Sequence, residues 1–187
     1  MKTRLAIVWG AVWLSLVSAP ALAQKVRLAT SQGDIVVELE KDKAPKSVEN
    51  FLQYVQAGHY DGTVFHRVID NFMIQGGGMK ADMSEKPTRA PIPLESRSGL
   101  TNLRGTLAMA RTMAPNSATA QFFINVKDNA FLDQVNSRDG NGYAVFGKVV
   151  EGMDVVDKIK AVAVADKAGQ QNVPVAPVTI KKATLEK

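Results

Sequence analysis

One arginine lies among large apolar side chains in residues 65–74, and it is the side chain of this sequence best equipped for chemistry. Arg67 carries a permanent positive charge and a fork of N–H donors, so it can polarise an amide at any ordinary pH. Burying such a charge without a partner is costly. Arg67 therefore has either a catalytic role or a carboxylate partner, for which Glu95 and Asp70 are the candidate acids.

Two glutamines accompany this arginine. Gln75 follows it in the same segment, and Gln121 shares one face of a strand with Phe123 because the two are two positions apart. Amide side chains both donate and accept hydrogen bonds, so these glutamines are equipped to orient an extended peptide. The alternative, which has equal weight, is that they are satisfied polar groups bracing a sheet.

Other kinds of catalytic site find little support. The sequence has no cysteine, and its two histidines, His59 and His66, have no partner at a metal-ligand spacing. Alternation places Arg67 on one strand face with Phe65 and Ile69. We expect His66 to be a hydrogen-bonded structural group on the strand face opposite Arg67. Residues 76–78 are glycines that lack the spacing of a phosphate-binding loop, so we interpret them as a tight turn. No cofactor and no metal are expected.

The first 23 residues have the pattern of a secretory signal peptide. Lys2 and Arg4 precede an apolar run, residues 5–17, and an Ala-x-Ala cleavage site follows at residues 21–23. The apolar run is shorter than the roughly 20 residues that span a bilayer. We therefore expect the leader to be removed, no membrane insertion afterwards, and one domain comprising residues 24–187.

Without this leader the chain is only mildly basic. The leader holds two of the 23 basic residues and none of the 18 acidic ones, so the net charge falls from +5 to +3. The basic residues are scattered among acidic ones, which argues against a nucleic-acid partner. A chain of this length can bury a sufficient core without disulfides, and an exported chain without cysteine suits a bacterial periplasm. No pattern for self-association is present, so a monomer is expected.

Short strands dominate the elements that must position these residues. Predicted strands occupy residues 26–30, 35–39, 64–69, 104–110, 121–126, 143–150 and 178–185. One helix is predicted to start near Pro45 and stop before Gly58, and a second to run from Met153 to about Val162. Residues 76–102 are interpreted as a long surface connection. Many short strands with two helices favour an antiparallel barrel or sandwich.

Three segments resemble the cyclophilin family of peptidyl-prolyl isomerases. They are residues 65–77 (FHRVIDNFMIQGG), 121–125 (QFFIN) and 143–147 (YAVFG). The resemblance extends over nearly the whole chain after the leader. It implies a mainly β fold, a closed eight-stranded antiparallel β-barrel capped by two α-helices, with the active groove on its outer surface.

The resemblance also implies roles for individual residues. Arg67 would be the catalytic residue, directed at the prolyl group of a bound peptide. The prolyl ring would be held by Phe72, Met73, Phe123 and Leu132, with Phe131 and Tyr143 at the edge of its pocket. The peptide chain would be oriented by Gln75, Ala110 and Gln121. Taken singly, the apolar ones are more often ordinary core. Strict alternation places Phe72 and Met73 on opposite faces, so a bulge or strand end is expected near residues 70–71.

Four positions depart from the pattern of many family members, among them Tyr143, which stands where many eukaryotic cyclophilins have histidine. Arg111 and Thr112 stand in the segment that holds a peptide like an added strand, so we expect Arg111 to bind substrate through its backbone. Phe131 stands where many eukaryotic cyclophilins have tryptophan, and because phenylalanine has no N–H, weak cyclosporin binding is expected. With its leader and the longer insert at residues 133–142, the chain is similar to periplasmic cyclophilins of Gram-negative bacteria.

The expected function is therefore isomerisation of X–Pro bonds in exported, unfolded or partly folded proteins, with proline-containing segments as partners. A rival interpretation is a holdase that binds such segments without turnover. Another is a carbohydrate or lipid binder, which would need ligand space inside the barrel, whereas small barrels of this kind are filled by side chains.

Overall fold

The computed structural model describes residues 24–186, so the expected leader lies outside the described residues. The described chain contains β1 (Lys25–Thr30), β2 (Gly33–Leu39), α1 (Pro45–Gln56), β3 (Val64–Ile69), β4 (Met73–Met79), β5 (Thr106–Met109), β6 (Phe122–Asn125), β7 (Val145–Glu151), α2 (Met153–Lys160), β8 (Val164–Lys167), β9 (Gln170–Pro174) and β10 (Ile180–Leu185). A short 3₁₀ helix, Ala130–Leu132, lies between β6 and β7. Within residues 24–186, no helix is long and apolar enough to cross a membrane.

Eight strands form one curled antiparallel sheet in the order β10-β1-β2-β7-β5-β6-β4-β3. The two edge strands meet at one corner, where Val64 and Thr179 form an isolated bridge and the Phe65 N–H donates to the Val178 carbonyl at 2.9 Å. Beyond this corner β9 packs against β3, and no ladder joins β3 to β10 in the described part of the chain. The eight antiparallel strands and two helices are confirmed. The predicted closed barrel is instead a half-barrel, because no ladder of hydrogen bonds joins its two edge strands within residues 24–186.

Helix α1 plugs one end of this curled sheet. Its apolar stripe, Val48, Phe51, Leu52 and Val55, is buried. The Phe51 ring meets Tyr60 at 5.1 Å, Phe146 at 5.2 Å and Phe122 edge-on at 5.5 Å, within the range that favours aromatic pairs. Side chains of the sheet complete this core, among them Leu28, Ile35, Leu107 and Ile124. The concave side of the sheet is therefore filled by packed side chains.

A second, two-stranded sheet follows α2 and is not predicted from the sequence. All four residues of β8 are exposed, so they show no apolar alternation that would mark a strand. Only the end of β9 is buried, where Val173 and Pro174 pack inward. Helix α2 ends at Lys160, two residues before the predicted end, and buries Val155, Val156 and Ile159 as expected. The hairpin matters because it brings Gln170 to the groove described next.

Candidate active site

A groove of about 440 Å³ lies on the outer face of the sheet, opposite the main core. Ten of the eleven predicted site residues line it, namely Arg67, Phe72, Met73, Gln75, Ala110, Arg111, Gln121, Phe123, Leu132 and Tyr143. The eleventh, Phe131, lies outside the groove lining: it is 54% exposed and stacks on Phe72 with ring centroids 5.6 Å apart. The structure thus brings together residues that are as many as 76 positions apart, from Arg67 to Tyr143.

A bulge in β3 determines which side chains reach this groove. Phe65 pairs with Gly76 and Arg67 pairs with the adjacent Gln75, so His66 is an extra residue in the ladder. Phe65 belongs to the main core, whereas both His66 and Arg67 line the groove. Two predictions are therefore wrong: Phe65 does not share the face of Arg67, and His66 is not opposite it. The bulge breaks the alternation on which both depended.

The hairpin between β3 and β4 resolves the conflict over Phe72 and Met73. Strand β3 ends at Ile69, Asn71 adopts φ 59°, and β4 begins at Met73. The expected strand end near residues 70–71 is confirmed. Because the turn resets the alternation, Phe72 and Met73 both reach the groove.

Arg67 has no acid beside it. Its Nη1 donates to Oε1 of Gln75 at 3.4 Å, and no carboxylate of residues 24–186 lies within 4.0 Å of the guanidinium. Glu95 accepts from the backbone N–H of Lys46 and Ser47 at 3.0 and 2.8 Å. Asp70 is paired with Lys160 at 3.5 Å. The carboxylate partner considered from the sequence is therefore excluded for both candidate acids.

The two glutamines continue this line of polar groups along the groove. Nε2 of Gln75 donates to Oε1 of Gln121 at 2.9 Å. Gln121 in turn lies over Gly78, where an added Cβ would be 2.4 Å from its Cγ. Residues 76–78 are thus part of strand β4 rather than the expected tight turn, and Gly78 is required for close packing rather than for reversing the chain.

An apolar pocket lies beside these polar groups. Met73, Phe123 and Leu132 are buried in a second cluster on the outer side of the sheet, against which Phe72 and Tyr143 pack. The Phe72 carbonyl accepts hydrogen bonds from Val126 N–H at 3.1 Å and from Nδ2 of the buried Asn129 at 2.8 Å. These bonds fix the turn that presents Phe72. The sequence offered no signal for Asn129 beyond a polar residue after a strand.

The segment after β5 presents unused backbone groups to the groove. Ala110 N–H donates to the Gln121 carbonyl at 3.0 Å. Within residues 24–186, neither the N–H nor the C=O of Arg111 makes a hydrogen bond. An extended peptide could therefore pair here as an added strand. The Arg111 side chain, by contrast, is only 2% exposed and is turned into the protein.

The groove has little capacity for acid–base or metal chemistry. Burial lowers the pKa of His66 to about 4, so its ring is neutral at physiological pH. No cluster of three or more His, Cys, Asp or Glu side chains in the described residues could hold a metal ion. Four groove residues were not predicted: His66, Met79, Glu85 and Gln170. A charged donor beside an apolar pocket, with free backbone groups along one wall, is suited to binding and polarising a peptide bond.

Known proteins are similar to this chain in sequence. A family model described as cyclophilin type peptidyl-prolyl cis-trans isomerase/CLD matches residues 25–185. The chain is 60% identical over 161 residues to the peptidyl-prolyl cis-trans isomerase cyp18 of Streptomyces antibioticus, covering 86% of this chain and 97% of that one. It is 56% identical over 181 residues to a peptidyl-prolyl cis-trans isomerase of Acinetobacter baylyi, covering 96% and 94%.

A solved structure of the same family has a similar fold. The crystal structure of a cyclophilin type peptidyl-prolyl cis-trans isomerase of Cryptosporidium parvum, in the presence of the dipeptide Ala-Pro, aligns with a TM-score of 0.72 and 28% identity, covering 88% of this chain and 99% of that one. The chain belongs to the cyclophilin-type peptidyl-prolyl cis–trans isomerases.

Proposed function

We propose that this isomerase acts on X–Pro bonds of exported proteins that are unfolded or partly folded, that it assists their folding, and that Arg67 is its catalytic residue. The observation that carries the proposal is the half-buried guanidinium of Arg67, which within residues 24–186 is bonded only to the Gln75 amide and lies beside an apolar pocket. A cation without a carboxylate partner retains its donors for a substrate.

The chemistry requires no bond to break. Rotation about a peptide bond is opposed by a resonance barrier of roughly 18–20 kcal/mol, and X–Pro bonds interconvert over tens to hundreds of seconds unaided. A donor that stabilises the twisted amide lowers this barrier, and each 1.4 kcal/mol or so is about tenfold in rate. Arg67 provides that donor in the proposed mechanism. A cofactor has no role in it.

The same groove supplies the binding contacts in this proposal. Phe72, Met73, Phe123 and Leu132 hold the prolyl ring, with Tyr143 at the edge of the pocket. Gln75, Ala110 and Gln121 orient the chain, and the backbone of Arg111 pairs with it as an added strand. The Cryptosporidium parvum crystal structure in the presence of the dipeptide Ala-Pro supports a proline-containing ligand.

The cellular setting is part of the proposal. The leader pattern of residues 1–23 supports export to a bacterial periplasm, with a mature, monomeric protein that begins at Gln24. N-terminal sequencing of protein recovered from a periplasmic extract tests this directly. Phe131 has no N–H, so cyclosporin should bind weakly.

Turnover separates the proposed enzyme from a holdase. Exchange NMR on an Ala-Pro-Phe peptide, with protein present at a small fraction of the peptide concentration, should show accelerated exchange between cis and trans isomers. Arg67→Ala should lower the catalysed rate by about 10² or more, or about 2.7 kcal/mol. Arg97→Ala, which removes an exposed arginine outside the groove lining, is the matched control and should leave the rate unchanged. Peptide binding without accelerated exchange would favour the holdase.

A further inference from the structure

The second arginine of the groove is held by partners within the protein. The Arg111 side chain is 2% exposed. Its Nε donates to the Gly142 carbonyl at 2.9 Å and its Nη1 to the Thr112 carbonyl at 3.0 Å. Its Nη2 is paired with the Asp139 carboxylate. A guanidinium buried with this set of partners has little left to offer a ligand, which suggests a different role from that of Arg67.

The carboxylate of Asp139 organises the insert, residues 133–142. Besides Arg111, it accepts hydrogen bonds from the backbone N–H groups of Asn141 at 3.0 Å and Gly142 at 3.3 Å. These donors and the guanidinium hold the pKa of Asp139 well below its usual range. The insert leaves and returns to the fold at one point, where Tyr143 N–H donates to the Leu132 carbonyl at 2.9 Å.

Arg111 also contacts the wall of the proline pocket. Its guanidinium carbon lies 4.6 Å from the centroid of the Tyr143 ring, which is a cation–π geometry. The Tyr143 ring meets Phe123 edge-on at 5.7 Å. A displacement of Arg111 would therefore be transmitted through Tyr143 to Phe123.

We infer that Arg111 is a positioning residue: with Asp139 it clamps the 133–142 insert to the groove and holds the Tyr143 ring as the outer wall of the proline pocket. The side chain of Arg111 does not touch the substrate; it acts through Tyr143, while its backbone remains available to the peptide. The inference rests on the proposed function for its effect on catalysis, but the clamp itself can be measured without activity.

The test compares variants of the full mature protein. Arg111→Met removes the charge but keeps much of the apolar stem, and should raise the KM for the Ala-Pro-Phe peptide about fivefold while kcat changes less than about twofold. Asp139→Asn, an exposed loop change, should raise KM about twofold. Asp157→Asn is the matched control, because it breaks an Arg–Asp pair with Arg104 outside the groove lining. It should change neither constant.

Two further measurements distinguish positioning from general stability. Arg111→Met introduced into Tyr143→Leu should raise KM little further, because the wall through which it acts has gone. The amide protons of Asn141 and Gly142 should exchange with solvent faster in Arg111→Met and Asp139→Asn than in wild type and Asp157→Asn. An unchanged KM in Arg111→Met, or a full fivefold rise in the Tyr143→Leu background, would overturn the inference. If wild-type protein showed no catalysed exchange, the proposed function would fail. The peptide Kd and the amide exchange rates of the variants would still show whether Arg111 and Asp139 hold the insert against the groove.

Discussion

The two arginines that line the groove differ in what surrounds their charge. Arg67 is half-buried and, in the part of the chain that the structure describes, is bonded only to the neutral amide of Gln75. The side chain of Arg111 is almost fully buried and is satisfied by a carboxylate, two carbonyls and an aromatic face. A cation that is to act on a ligand must keep its donors available, whereas a cation that shapes a wall is saturated by the protein. Residue type alone does not separate these roles; the partners do.

The largest expected effect concerns the neutral neighbour of Arg67. Burial lowers the pKa of His66 from 6.5 to about 4 in the folded protein. Because the unfolded chain takes up this proton first, the stability that neutral His66 contributes is complete above pH 6.5 and is lost as the pH falls toward about 4. The loss should amount to about 3 kcal/mol.

Urea unfolding of wild type and His66→Gln across this pH range measures that loss. The unfolding free energy of wild type should fall relative to that of His66→Gln as the pH falls, since the two proteins share every other titrating group. An NMR titration of His66 with a midpoint near 6.5 would contradict the prediction and would mean that Arg67 acquires a charged neighbour in the working range.

A smaller effect, on kcat, should distinguish the two arginines when each is replaced by lysine. Lysine keeps the charge but loses the planar fork of donors. Arg67→Lys should lower kcat about tenfold, because the fork acts on the twisted amide. Arg111→Lys should change kcat less than about twofold, because that charge only positions a ring. Peptide exchange NMR measures both, and equal losses in kcat would remove the distinction between the two sites.

The features of the molecule that the sequence predicted depend on local pattern. The apolar residues of α1 between Val48 and Val55 recur at helical spacing on one face, and this pattern predicts the helix. Gln121, immediately before β6, and Phe123 within it both line the groove, as their spacing of two predicted. The residues in motifs that resemble the cyclophilin family, Arg67 among them, also assemble where expected.

The features that the sequence did not predict depend on tertiary contacts. The bulge at His66 places two consecutive residues at the groove, which no alternation pattern can indicate. The β8–β9 hairpin is largely exposed, so it shows no apolar alternation, yet its second strand packs against β3. The partner of Arg111 lies 28 positions away in an irregular loop. The sequence around Arg111 therefore could not indicate that its guanidinium is paired within the protein.

The central claim is that catalysis needs the Arg67 guanidinium free of any carboxylate. Gln75→Glu tests it most directly, because it places an acid where the amide oxygen now lies 3.4 Å from Nη1, without removing the arginine. Gln75→Ala is the matched control for loss of the amide. The account predicts a kcat/KM for Gln75→Glu about tenfold below that of Gln75→Ala. Equal values for the two variants would contradict it.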